Sequence, residues 1–122
     1  MTESGAGSRR ALPLDAASLA PMGDDYEAAL DTGLLELGLL DTPAASRGAR
    51  RAYQAHARLL RDWNAAINLT AIRDDAEMAR RHVCDSLSAV PRLLRLTRPR
   101  SALLDIGSGG GYPGLPPKPV LP

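Results

Sequence analysis

The chain has 122 residues, 44% of them hydrophobic and 24% charged, a globular composition that suits one small domain or a portion of a larger one. With no Phe, one Trp and three Tyr, a core must rest on Leu, Ala, Ile and Val, and the single cysteine, Cys84, excludes an internal disulfide framework. No apolar run approaches the roughly 20 residues that span a bilayer, and no apolar stretch of the secretory kind follows residues 1–10, so a soluble protein of the cytoplasm is expected, without a membrane partner.

The net charge of +1 hides an asymmetry. Residues 1–41 carry two arginines against eight acids, whereas residues 42–122 carry twelve arginines and Lys118 against six acids. Arginine forks onto phosphates and stacks on bases better than lysine. GC-rich coding DNA also favours arginine, so charge alone permits a nucleic-acid partner without requiring one.

In chain order, residues 1–23 are rich in Gly, Ala, Ser and Pro and read as a flexible leader. A helical subdomain is expected over residues 24–98. Its first helix begins near Asp24 and Asp25, whose charges suit the positive end of a helix dipole, and runs through Glu27, Leu30 and Leu34 to a C-cap at Gly38. Gly33 interrupts that pattern, and Thr42-Pro43 marks a break. The strongest helix is expected over residues 46–67, where Ala49, Ala52/Tyr53, His56, Leu59/Leu60, Trp63 and Ile67 recur at three- and four-residue steps as one apolar face. Most arginines of that stretch fall off this face. One or two further helices fill residues 74–96 on Met78, Val83, Leu87, Val90, Leu93 and Leu94, with Pro91 as a break or a first-turn residue.

The texture changes at Pro99. Ser101-Ala102-Leu103-Leu104-Asp105-Ile106 reads as one buried strand entering a tight loop, Gly107-Ser108-Gly109-Gly110-Gly111-Tyr112-Pro113-Gly114. Helices followed by a strand and a glycine loop predict an α/β fold in which a helical subdomain leads into a parallel sheet. Glycines at 107, 109 and 111 let the backbone turn sharply and approach a ligand with no Cβ in the way. Such a loop leaves the carboxyl end of a strand, where open α/β sheets bind nucleotides. Gly109-x-Gly111-x-x-Gly114 also fits the dinucleotide pattern, a weak signal alone. The acid, however, precedes the glycines here: Asp105 lies two residues before Gly107, while an NAD site places its acid about 20 residues after them. Acid-x-Gly-x-Gly-x-Gly resembles the first motif of class I methyltransferases, which points to S-adenosylmethionine as the cofactor.

Two further stretches carry polar clusters. Asn64 and Asn68 are four apart near the end of the long helix and share a face, so both amides can serve one loop or ligand, or simply cap the helix. Arg81-His82-Val83-Cys84-Asp85-Ser86-Leu87 sets His82 and Asp85 three apart, either as a hydrogen-bonded pair or as a plain helix start. One cysteine and two histidines lack the spacing of a metal site. A Ser86, His82 and Asp85 triad is disfavoured because neighbours on one short segment do not converge.

Taken together, Leu60-x-x-Trp63-Asn64-x-x-x-Asn68-Leu69-Thr70, then Arg81-His82-x-x-Asp85-Ser86-Leu87, then Leu104-Asp105-Ile106-Gly107-Ser108-Gly109-x-Gly111-Tyr112-Pro113-Gly114, resemble the ribosomal RNA small-subunit methyltransferase G family, also called glucose-inhibited division protein B. The order and intervals match over about residues 26–115. The resemblance implies a cytoplasmic bacterial enzyme, monomeric when full length. It would transfer a methyl group from S-adenosylmethionine to N7 of a guanine in 16S ribosomal RNA or the small-subunit particle. It further implies that Gly107 and Tyr112 contact the cofactor, that Gly109 and Gly111 shape the loop, and that Asp105 anchors it. Asn64, Asn68, His82 and Asp85 match the helical signature and would contact RNA or support the cofactor side; no catalytic residue is assigned. The arginine-bearing helix would supply phosphate contacts.

Residues 99–115 read as the first strand and glycine loop of the methyltransferase domain, and residues 116–122 as a divergent tail. Four prolines among those last seven residues deny the helix that should follow the loop. The expectation is a C-terminally truncated family member that binds cofactor weakly and turns over nothing alone, because one strand leaves its backbone groups and faces uncovered. The rival is a non-catalytic helical module that binds RNA or protein, distinguished by salt-dependent RNA binding with no affinity for the methyl donor.

Overall fold

In the computed structural model, which describes residues 11–96 together with Arg98 and Ala102, the chain runs through helix α1 (Asp24–Glu36), a 3-10 turn (Pro43–Ala45), helix α2 (Arg47–Ile67), short helix α3 (Asp75–Met78), a π-helix (Ala79–Cys84), the single turn α4 (Asp85–Leu87) and helix α5 (Val90–Leu96). No strand occurs among the described residues. Apart from Ala102, the strand expected over residues 101–106 lies outside them, as does the glycine loop. Of the expected α/β architecture, the described part is therefore the helical portion.

Helix α1 starts where its acids predict. Asp24, Asp25 and Glu27 occupy the first turn, beside the unpaired amides of the helix start. It ends in a Schellman motif: Gly38 adopts φ 71°, its N–H donates to the Leu35 carbonyl at 3.0 Å, and the Leu39 N–H donates to the Leu34 carbonyl at 2.8 Å. Leu34 and Leu39 are both buried, which completes the motif's usual apolar contact.

Helix α2 is N-capped by Ser46, whose hydroxyl accepts from the Ala49 N–H at 3.1 Å. Its buried seam differs from the expected one. The residues turned inward are Ala49, Tyr53, Ala57, Leu60 and Asn64, while His56, Leu59 and Trp63 are half-buried and Ile67 is 49% exposed. The seam is rotated because small Ala57 allows close approach and polar Asn64 finds a partner inside, so neither side chain's hydropathy reports its burial. Tyr53 hands its hydroxyl to the Ala44 carbonyl at 2.8 Å, locking the 3-10 turn under α2.

Residues 11–23 form no helix or strand and are tied along α2 and α3. The Trp63 indole N–H donates to the Pro13 carbonyl at 2.7 Å, Arg61 donates to the carbonyls of Ala20 and Pro21, the Met22 N–H donates to Gln54 Oε1 at 2.9 Å, and the Gly23 N–H donates to Asp75 Oδ2 at 2.9 Å.

From Asp75 to Leu87 the backbone is one helical rod with a wide turn in its middle; the junction residues Met78, Ala79, Cys84 and Asp85 all keep right-handed helical angles. Asp74 caps its start through Oδ2, which accepts from the Glu77 N–H at 2.9 Å. The core contains Met78, Ala79, Val83, Cys84, Leu87 and Val90. A five-residue step separates Met78 from Val83 and Ala79 from Cys84, which is the i to i+5 spacing of a π turn rather than an α turn. Helix α1 packs across this rod at Gly33, where an added Cβ would overlap the Cβ and Sγ of Cys84. The glycine that interrupts the sequence pattern is the crossing point.

Candidate functional site

The sequence-predicted helical residues meet where α2 ends beside the π-helix. Asn64 is buried at the last turn of α2, and its Oδ1 accepts from the Thr70 N–H at 2.8 Å. Four residues on, Asn68 adopts the left-handed region with φ 50° and ψ 59°, and its N–H donates to the Asn64 carbonyl at 3.1 Å. Asparagine tolerates that conformation better than other side chains with a Cβ. The Asn68 Oδ1 accepts from Arg73 Nη2 at 3.0 Å. Both asparagines therefore terminate and brace the helix, as the capping reading expects.

Thr70 joins this turn to the rod. Its hydroxyl oxygen accepts from the Ile72 N–H at 3.1 Å and lies 2.9 Å from His82 Nε2. An arrangement in which Thr70 donates to a neutral His82 satisfies both contacts. The imidazole titrates below its ordinary value, first because burial penalises the charged ring, then because His56 and Arg81 repel that charge; Asp85 pulls the other way and is outweighed. The π turn explains the placement. With the inward positions moved to Val83 and Cys84, His82 is left at the edge of the rod, facing the α2 terminus.

Asp85 lies on the next turn and is exposed; it lines the groove of about 540 Å³ between α1 and the rod, with Asp25, Glu36 and Arg80 on the rim and Ala29, Gly33 and Cys84 within. Thus Asn64, Asn68 and His82 are gathered at one junction, and Asp85 contributes to it through its charge. Asp105, Gly107, Gly109, Gly111 and Tyr112 lie outside the described residues.

Two contributors stood in the sequence motifs without a role in the junction. Thr70 is the hub of the junction, and Ser86 is buried with its hydroxyl donating to the His82 carbonyl at 2.6 Å. The signals existed: a hydroxyl two residues past an asparagine at the helix end, and the five-residue step from Met78 to Val83. Among the described residues no group of three or more His, Cys, Asp or Glu side chains could hold a metal ion, and no helix is long and apolar enough to cross a membrane.

A family model described as rRNA small subunit methyltransferase G matches residues 50–122. The ribosomal RNA small subunit methyltransferase G of Alkalilimnicola ehrlichii is 46% identical over 94 residues, covering 77% of this chain and 39% of its own length. The proteins of the same name from Aromatoleum aromaticum and Cupriavidus necator are 47% and 45% identical, covering 73% and 71% of this chain and 38% and 39% of their own lengths. The chain thus spans about two fifths of the length of the curated relatives it matches. No solved structure matches it.

Proposed function

The chain belongs to the rRNA small subunit methyltransferase G family, and from that premise we propose that it serves a cytoplasmic methyltransferase that modifies N7 of a guanine in 16S ribosomal RNA, as free RNA or in the small-subunit particle. The observation that carries this reading is the reach of the family match. Residues 50–122 include both the Asn64, Thr70 and His82 junction and the glycine run.

Guanine N7 carries a lone pair and no proton, so methylation needs no strong base. The protein's task is to align N7 with the donor methyl and to tolerate the positive charge of the product. S-adenosylmethionine supplies the electrophilic methyl of a sulfonium. Asp105, Gly107, Gly109, Gly111 and Tyr112 are the residues that would hold it: glycines lacking a Cβ would admit the donor's approach, Asp105 would set the turn, and Tyr112 would contact the donor. Asn64, Asn68 and His82 act as support. Their polar atoms are engaged with the protein's own Thr70 and Arg73, and they hold the α2 terminus against the rod.

The test uses a chimera in which residues 1–114 replace the corresponding part of the Alkalilimnicola ehrlichii relative, given radiolabelled S-adenosylmethionine and small-subunit particles from a strain lacking its own family member. Label at one guanine, with strand scission there after reduction and aniline treatment, is the expected result. Gly107→Val should abolish it. The reading is overturned if the intact relative labels these particles while the chimera labels another atom or nothing.

A further inference from the structure

The arginines of α2 fall into two sets. Arg50 and Arg61 are engaged internally: Arg50 pairs with Asp31 of α1 at 2.6 Å, and Arg61 lies 3.6 Å from Asp75 of α3 while bonding the carbonyls of Ala20 and Pro21. Arg47, Arg51 and Arg58 have no carboxylate within ion-pair distance among the described residues. At 3.6 residues per turn these three lie within about 40° of one another, and at 1.5 Å per residue they extend along about 16 Å of the helix.

Two of them, Arg51 and Arg58, also border a depression. Residues 15–17 run beside α2 and enclose with it a groove of about 480 Å³, lined by Asp15, Ala16, Ala17, Arg51, Ala52, Gln54, Ala55 and Arg58. The alanines keep its floor shallow. Arg58 is half-buried with its Nε donating to Gln54 Oε1 at 2.9 Å, which fixes the guanidinium before any ligand arrives. Arg47 sits in the first turn of α2, where there is no acid and where the helix dipole disfavours a cation. The one acid of the groove, Asp15, is exposed and accepts from the Ala17 N–H at 3.0 Å.

We propose that Arg47, Arg51 and Arg58, with the groove between α2 and residues 15–17, form a docking track for the phosphodiester backbone of ribosomal RNA. The proposal rests on the rRNA reading above and names the surface that would engage that substrate. A row of cations along one helix face, with Asp15 in the groove and Asp62 one turn beyond Arg58 as the acids beside it, complements a polyanion. The groove between α1 and the rod carries three acids, Asp25, Glu36 and Asp85, against one cation, Arg80, and suits a polyanion less well. The track reads charge rather than bases, so it orients the RNA without choosing the guanine.

The experiment measures binding of the 122-residue chain to a 16S ribosomal RNA fragment across a salt series. Changing Arg47, Arg51 and Arg58 together to Gln should weaken binding about tenfold or more and lower the log–log salt slope by about 2 to 3, near one per lost phosphate contact. The matched control, Arg92→Gln with Arg95→Gln on exposed positions of α5, should leave most of the slope in place. Arg51→Gln alone, at an exposed site with no carboxylate within ion-pair distance among the described residues, gives the same direction should the triple variant fail to fold. Asp15→Asn should tighten binding, a gain that loss of structure does not mimic. If the parent chain binds the fragment but the Arg47, Arg51 and Arg58 variant keeps its affinity and slope, the track is wrong and the rRNA reading stands. If the parent chain binds small-subunit proteins and no RNA, both fall.

Discussion

The imidazole of His82 is held near Thr70 while His56 and Arg81 add positive charge around it, and its titration is displaced downward. On acidification the unfolded chain therefore takes up this proton before the folded one does. The stability contributed by the neutral ring is whole above the ordinary histidine range near pH 6.5 and is lost as pH falls through that range towards the lowered folded value. Urea midpoints should drop between pH 7 and pH 5 in the parent, and by less in His82→Gln, which keeps a polar atom near Nε2 but does not titrate. Equal pH dependence in the two chains would assign the effect elsewhere. Asn68 is a second residue whose type follows from its place: it has a left-handed φ and closes α2.

Between elements, the crossing of α1 and the rod depends on one missing methyl group. Gly33 lies inside α1, where alanine would ordinarily favour the helix by about 1 kcal/mol. Here its Cβ would overlap Cys84, and overpacking costs about 1–3 kcal/mol. Gly33→Ala should therefore destabilise the chain in chemical denaturation despite the better propensity. In the double variant with Cys84→Ala the two effects should be less than additive, because removal of the sulfur makes room for the methyl. Strict additivity would mean that the helices do not cross there. The same rod explains the π turn: with helices crowding Met78, Ala79, Val83 and Cys84, five-residue spacing is what keeps all four in the core.

Across the whole molecule, Cys84 reports on opening. Its thiol is buried, and burial pushes its pKa up to about 11, with the charges of Asp85 and Glu36 adding to the effect. That leaves on the order of a hundredfold less thiolate at neutral pH than an ordinary thiol has. Reaction with a disulfide reagent should thus be slower by at least about a hundredfold in buffer than in strong urea, and its urea dependence should follow the unfolding curve. Similar rates in both media would show that α1 does not cover the rod. The charge asymmetry of the chain is also expressed at this scale. Acids of α1 and Asp85 outnumber Arg80 around one groove, while Arg51 and Arg58 of α2 outnumber Asp15 around the other.

Local signals were enough for much of this. The ends of α1 and α2 follow from Asp24, Asp25, Gly38 and Ser46, because caps and turn glycines act on adjacent backbone groups. The three motif segments likewise carried the family resemblance, since they depend on residue type and interval alone. Burial was another matter. Which side of α2 faces inward, why Gly33 interrupts a helix, that Thr70 links Asn64 to His82, and which arginines are spent on Asp31 and Asp75 all depend on groups up to 52 residues apart, as in the bond from Gly23 to Asp75. Residue type and interval fix what a segment can form by itself. Packing decides what each side chain meets, because a methyl group, an amide and a guanidinium take their roles from neighbours that only the tertiary structure supplies.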